Sequence, residues 1–429
     1  MITVFRDAWI VTQNDRREIL RGDLAIDGER ILSVGGRYGD AADEEIDCSG
    51  DVLIPGLINT HTHVAMSVMK GVVDDLEFPD FLDKVFRIDA DRTDADLALG
   101  TKIGCMEMMR SATTTFVDLY YSEDVIARAA QEAGLRGICC WCCLDEDKTT
   151  QKGNPVRNCK EFHRRFKGER KVVPGVGLQG VYVCNEETCV QAKEFSDEAG
   201  APLTFHLSET VGEVNAHKKR YGLRPAEWLS HIGVLGPRDI AAHSSWVTMN
   251  EVRLMAGAGM SVSSCPVSNM KLATGGVCPV PEYEKAGVNV SLGTDGNTTN
   301  NTLDMIAEMK VLGLLQKHSR WDPTVALAQD LLDIVTRNGA KAVGMEGLLG
   351  SLEPGKYADV VVIDGGMPNV RPLVRENIVA NLAYSLSQAD VKTVMCQGDV
   401  VLRDREHTTL DPEEILPQAE DAWRSLCLR

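Results

Sequence analysis

The sequence predicts an α/β protein: a (β/α)8 TIM barrel with a small β-sandwich domain built from both chain ends. Between residues 57 and 345, eight apolar strand-like runs alternate with longer amphipathic helical stretches, which is the size and period of a closed parallel barrel. The first run ends in His61-Thr62-His63, not in the glycine-rich loop of an open nucleotide-binding sheet. Strand patterns also fill the first 55 residues and return after Pro354-Gly355. Two such sets bury their apolar faces only by meeting in space. The expected domains are therefore 1–55 with 350–429, and 56–349.

In chain order, strands are expected at Thr3–Val11, in a hairpin over Asp23–Val34 turning at Asp27-Gly28, and at Glu45–Leu53. The barrel strands follow: Leu57–His63, Thr113–Leu119, Leu135–Cys143, Val172–Leu178, Pro202–Ser208, Asp239–Ser244, Met260–Cys265 and Val288–Thr294. Helical patterns between them include Asp94–Arg110, Ser122–Ala133, Glu187–Ala199 and Asn250–Gly257. Strands are expected again at Ala358–Asp364 and Val391–Asp399, with helix over the last ~25 residues.

Composition narrows the function. The chain has 429 residues, 44% hydrophobic and 25% charged, as in ordinary soluble globular proteins. A net charge of −18 disfavours nucleic acid and anionic membranes as partners. The partner expected is a small-molecule substrate, and a homo-oligomer is compatible with the sequence. Thirteen cysteines, an odd number spread over a long chain, do not read as a secreted disulfide framework. With no signal-peptide pattern and no long apolar run, a cytoplasmic setting is expected.

Residues i and i+2 of a strand point to the same side, so His61 and His63 can both face the barrel axis. Their place at a C-terminal strand end is where barrel active sites form. His206, His243 and Asp295 fall at the matching ends of the fifth, sixth and eighth strands. Imidazoles and a carboxylate around an open water position make a catalytic zinc-type site, whose metal supplies hydroxide near neutral pH. One divalent metal per chain is expected: zinc by ligand type, with iron, manganese or nickel tolerated by the same donors. Glu209, three residues after His206, is placed to shuttle a proton. The residues alone leave His243 as either ligand or base.

The motifs Pro55-Gly56-Leu57-Ile58-Asn59-Thr60-His61-Thr62-His63, His206-Leu207-Ser208-Glu209-Thr210, Ala242-His243 and Gly293-Thr294-Asp295-Gly296 resemble the amidohydrolase superfamily. Ser268-Asn269-Met270-Lys271-Leu272 and Ser351–Asp359 fit the same pattern. Within the superfamily the chain looks most like the methylthioadenosine/S-adenosylhomocysteine deaminase group, a neighbour of the triazine chlorohydrolases. The resemblance implies His61, His63, His206 and Asp295 as metal ligands. It implies Glu209 as the acid that protonates the ring nitrogen, and His243 with Asp295 as the groups that orient and deprotonate water. The fourth strand, Val172–Leu178, has no lysine to bridge a second metal.

The sequence departs from that group where substrate would bind. Gln179 stands in a turn where the group has histidine, Trp141 where it has arginine, and Asp89 where it has a glutamate that contacts ribose hydroxyls. Cys265 replaces a common asparagine. Asp89, Trp141, Gln179 and Trp246 are the expected substrate contacts, and a tryptophan in place of a cation points to a more apolar pocket. The cysteine run 139–143 is expected to pack as core. The function expected is hydrolytic deamination of an aminated heterocycle, foremost an adenine nucleoside. The alternatives are displacement of another ring substituent as in triazine dechlorination, deamination of guanine, cytosine or a pterin, or a non-catalytic metalloprotein.

Overall fold

In the computed structural model, which describes residues 1–146 and 154–427, the eight expected barrel strands all form. They run Leu57–His63, Thr113–Tyr120, Arg136–Cys143, Val172–Leu178, Leu203–Leu207, Asp239–His243, Ser261–Ser264 and Asn289–Leu292. Each pairs in parallel with the next in chain order. Their residues are almost all buried, as expected of strands covered by helices on one side and a filled barrel on the other.

The eighth strand is interrupted, and the interruption closes the barrel. After Leu292 the chain passes Gly293 and Thr294, and Asp295-Gly296 then pairs in parallel with Thr62 and His63 of the first strand. The seam is fastened by hydroxyls and one amide. Thr60 Oγ1 lies 2.8 Å from Ser291 Oγ and donates to the Leu292 carbonyl at 3.0 Å. Asn59 Nδ2 donates to Thr294 Oγ1 at 2.7 Å. Gly293 is required here, because a β-carbon would lie 2.6 Å from that of His61.

Helices Asp94–Arg110, Glu123–Ala133, Pro155–Phe166 and Glu186–Ala199 lie among the helices of the outer layer. Their starts are capped by sequence-local chemistry. Thr93 and Asp96 form a reciprocal capping box, and Asn154 and Asn185 accept from the backbone N–H groups of Arg157 and Thr188. One helix that the periodicity did not single out, Phe78–Ala90, follows the segment Val64–Met69 behind the first strand.

The chain ends build a separate mixed sheet. Its order is Glu406–His407, Asp399–Arg403, Val391–Cys396, Val360–Ile363, Val52–Pro55, Ile2–Val11, Ile19–Asp27, Arg30–Val34. Phe5, Ile10, Leu24, Ile26, Ile31, Leu53, Val360, Val362 and Met395 form its core. The expected strand Glu45–Leu53 is two, Glu44–Asp47 and Val52–Pro55, both parallel to Ile2–Val11. A turn separates them: Ser49 N donates to Asp47 Oδ1, Asp51 N to the Cys48 carbonyl, and Gly50 takes φ 91°. The C-terminal helix spans Pro412–Cys427, and residues 428 and 429 of the expected helix lie outside the described part. Among the described residues no helix is long and apolar enough to cross a membrane.

Candidate metal centre and its cavity

Four side chains from three separate parts of the barrel converge at the C-terminal strand ends. One ligand atom each from His61, His63, His206 and Asp295 lies within 4.8 Å of all the others. His63 Nε2 faces His206 Nε2 at 3.2 Å, and Asp295 Oδ1 lies 3.5 Å from His61 Nε2 and 3.2 Å from His63 Nε2. All four are buried.

The far ends of these groups fix which atoms point inward. His63 Nδ1 donates to the Leu119 carbonyl at 2.7 Å, and His206 Nδ1 donates to the Gln179 carbonyl at 2.6 Å. Nε2 is therefore the nitrogen that each ring turns to the centre. Ser268 Oγ donates to Asp295 Oδ2 at 2.7 Å, which leaves Oδ1 turned toward the imidazoles. Neither nitrogen of His61 has a hydrogen-bond partner.

Electrostatics divide the donor set: burial works to lower His63, but contact with the Asp295 carboxylate outweighs it and raises the ring to about 9. Burial holds His61 down at about 4, and it holds His206 well below the usual imidazole value, helped by the neighbouring rings. Burial works to raise Asp295, but contact with His61 and His63 outweighs it and keeps the carboxylate ionised. Two ring nitrogens 3.2 Å apart, an orphaned buried imidazole and an ionised carboxylate crowd one point. They fit a divalent cation, which would satisfy all four at once.

The backbone is bent to aim these groups. Asp295 sits at φ 62°, His243 at 63° and Ser208, beside Glu209, at 49°. Left-handed conformations cost non-glycine residues energy and collect at functional sites. His243 is held by Asn269, whose Nδ2 lies 3.2 Å from Nδ1, and its Nε2 lies 3.9 Å from Glu209 Oε2. Burial pushes Glu209 up to about 8, with the Asp295 charge adding to it, so the group carries a proton at neutral pH. Glu213 fixes the turn beneath it, accepting from the backbone N–H groups of Ser208 and Glu209 at 3.0 and 2.9 Å.

A cavity of about 250 Å³ opens over the cluster. His63, His206, His243, Glu209 and Asp295 line its floor, and Asp89, Tyr120, Cys142, Gln179 and Tyr182 join them in the lining. The amidohydrolase family model matches residues 52–401, which includes every residue of this cluster. The chain belongs to the amidohydrolase family. A 5′-deoxyadenosine deaminase of Methanothermobacter thermautotrophicus is 39% identical over 418 residues, 96% of this amidohydrolase and 96% of its own length. A 5-methylthioadenosine/S-adenosylhomocysteine deaminase of Moorella thermoacetica is 38% identical over 405 residues, 93% of this chain and 94% of its own. The crystal structure of an adenosine deaminase from Xanthomonas campestris with bound zinc superposes with a TM-score of 0.95 at 28% identity, covering 100% of this chain and 99% of that one.

Of the four substrate contacts expected in this amidohydrolase, two reach the cavity. Asp89 lines it, with Oδ1 accepting from Tyr120 OH at 2.6 Å and from Arg92 at 3.1 Å. Gln179 lines it too, its Nε2 donating to Tyr182 OH at 3.0 Å and its Oε1 accepting from Cys142 Sγ at 3.3 Å. Trp141 and Trp246 are not in the lining. Trp141 packs on Phe162 of an outer helix, with ring centroids 5.8 Å apart, and its strand neighbour Cys142 faces the cavity instead. Successive strand residues point to opposite faces, so only one of the two can look inward. Trp246 lies beyond its strand end, its indole N–H bound to the Thr274 carbonyl at 2.9 Å and its ring against Gly276.

Ser268, Asn269, Glu213 and the helix Phe78–Ala90 have places in the site that the sequence alone does not assign. For the first two a signal existed, because they sit in the Ser268–Leu272 motif. The helix and Glu213 carry only ordinary amphipathic and capping patterns.

Proposed function

We propose that this protein is a metal-dependent hydrolytic deaminase of an adenine nucleoside. The observation that carries the proposal is a buried Glu209, 3.9 Å from His243 Nε2, standing beside a four-residue cation cradle in a cavity floor. A purely structural metal would need neither that acid nor the cavity. The two curated relatives named above, both described as nucleoside deaminases, support the substrate class.

His61, His63, His206 and Asp295 would hold the ion, and zinc is the ion proposed. When bound, such an ion acidifies water so that hydroxide is available near neutral pH. Glu209 gives its proton to the ring nitrogen beside the carbon that bears the amino group. His243 and Asp295 orient the water and take its proton. As that proton is passed to the amino group, the C–N bond breaks and ammonia leaves, and the remaining hydroxyl proton returns to Glu209, so water plus amidine becomes carbonyl plus ammonia. Asp89 is proposed to accept from ribose hydroxyls and Gln179 to donate to the ligand. The setting proposed is the cytoplasm, where the twelve buried cysteines of the described part stay as thiols.

The test is ammonia release by the metal-loaded protein against adenosine analogues, guanine, cytosine, pterins and aminotriazines. Ammonia from adenine nucleosides supports the proposal. Turnover confined to another base, or chloride release from a chlorotriazine in its place, contradicts it.

A further inference from the structure

The middle residue of His61-Thr62-His63 is not one of the cradle's four, and the fold gives it a different partner. His61 and His63 face the barrel axis, so Thr62 between them faces outward, toward the helix layer. It pairs in register with Asp118 of the strand Thr113–Tyr120. Leu119 lines the cavity, so its neighbour Asp118 faces outward as well. The two side chains meet there, and Thr62 Oγ1 donates to Asp118 Oδ1 at 2.6 Å. The same oxygen accepts from the backbone N–H of Val64, also at 2.6 Å. One buried carboxylate oxygen thus holds the residues on both sides of His63.

This stretch of backbone needs such a hold. Three steps along the first strand, Asn59 to Thr62, match two along the second, Phe116 to Asp118, so the ladder is bulged just before His63. Directly after His63 the strand gives way to the helical turn Val64–Met69, whose first backbone N–H belongs to Val64. Asp118 supplies its acceptor. The end of the second strand is itself fixed. The Leu119 carbonyl takes the His63 ring N–H at 2.7 Å, and the buried Glu123 accepts from the backbone N–H of Tyr120 at 3.0 Å. Asp118 is fully buried, and its Oδ2 has no hydrogen-bond partner among the described residues. A carboxylate so placed is a costly way to cap one turn, and both of its short bonds converge on the flanks of a cradle histidine.

We propose that Asp118 is a positioning residue for the cation cradle: by gripping Thr62 and Val64 it sets the direction in which His63 Nε2 points. The proposal rests on the cradle and goes beyond the deaminase reading, since it holds for any substrate. The test loads the whole chain with cobalt(II), whose visible absorption reports the geometry of its ligands, and measures affinity by competition with a chelator. Asp118→Ala is expected to weaken affinity roughly 10–100-fold and to change the cobalt spectrum. Asp118→Asn keeps an acceptor oxygen in place and is expected to retain the wild-type spectrum and most of the affinity. Should Asp118→Ala fail to fold, Thr62→Val decides, because it removes one of the two donors. It is expected to weaken binding and alter the spectrum, and Thr62→Ser to show neither change. A lower melting temperature with affinity and spectrum unchanged overturns the proposal, as does an Asp118→Asn variant no better than Asp118→Ala. Wild-type protein that takes up no cobalt overturns the cradle itself. Cobalt uptake without ammonia from any nucleoside overturns only the deaminase reading.

Discussion

In the proposed reaction Glu209 and His243 share the chemistry with His61, His63, His206 and Asp295, and each proposed role has its own signature. Replacing Glu209 by Gln keeps the shape and removes the proton donor. We expect turnover to fall by about 100-fold or more, with metal content unchanged. Loss of metal together with activity would make Glu209 a ligand. The pH profile carries a second sign. Burial raises Glu209 to about 8, so the donor form exists below that value and disappears above it. The expected kcat/KM is sustained through neutral pH and declines as pH passes about 8, and a rate still climbing there would contradict the assignment. The convergence of His61, His63, His206 and Asp295 was legible in the sequence because histidines are few and these sit at strand ends. The facing of Trp141 was not legible, because a single-residue choice of strand parity decides it and both Trp141 and Cys142 suit a buried position.

At the scale of elements, the short helix Pro266–Lys271 ties two of the site's groups together. Ser268 holds Asp295 and Asn269 holds His243. Ser268→Ala is expected to weaken metal affinity roughly 10–100-fold while leaving the fold intact, as measured by competition with a chelator. The barrel seam is a second such element. Gly293→Ala would drive a β-carbon against His61, so this substitution should lower both thermal stability and metal occupancy. Unchanged occupancy would mean that the seam does not position His61. Barrel strands were readable from sequence because burial on both faces leaves long apolar runs. Helix Phe78–Ala90 was not, since its apolar face meets a cavity and its other face is polar, the pattern of any surface helix. The split of Glu45–Leu53 turned on one left-handed glycine, which residue alternation does not reveal.

The whole molecule is joined at the opposite end of the barrel by a buried ion pair. Arg136 begins the third strand and is 1% exposed. Its Nη2 donates to Asp359 Oδ1 at 3.2 Å and to Gln397 Oε1 at 2.9 Å, and Thr114 Oγ1 donates to Asp359 Oδ2 at 2.8 Å. Barrel and end-built sheet thus share one network. Asp359→Ala strands a buried guanidinium and is expected to cost about 3–5 kcal/mol of stability in denaturant unfolding. Burial works to raise Asp359, but the charge of Arg136 outweighs it and the folded carboxyl lies below its usual value. The pair therefore stabilises above the unfolded carboxyl range, and its contribution fades as pH falls through the lowered value. That the two chain ends meet was predictable from their strand patterns. That Arg136 and Asp359 meet was not, because 223 residues separate them.

Everything catalytic in this account depends on one cation held by His61, His63, His206 and Asp295. Metal analysis of the purified protein, paired with ammonia release before and after chelation, tests this most directly. The expected result is one divalent ion per chain, activity lost with the ion and restored by adding it back, and an ion site abolished by combined replacement of His61 and His63. Full ammonia release from metal-free protein would contradict it.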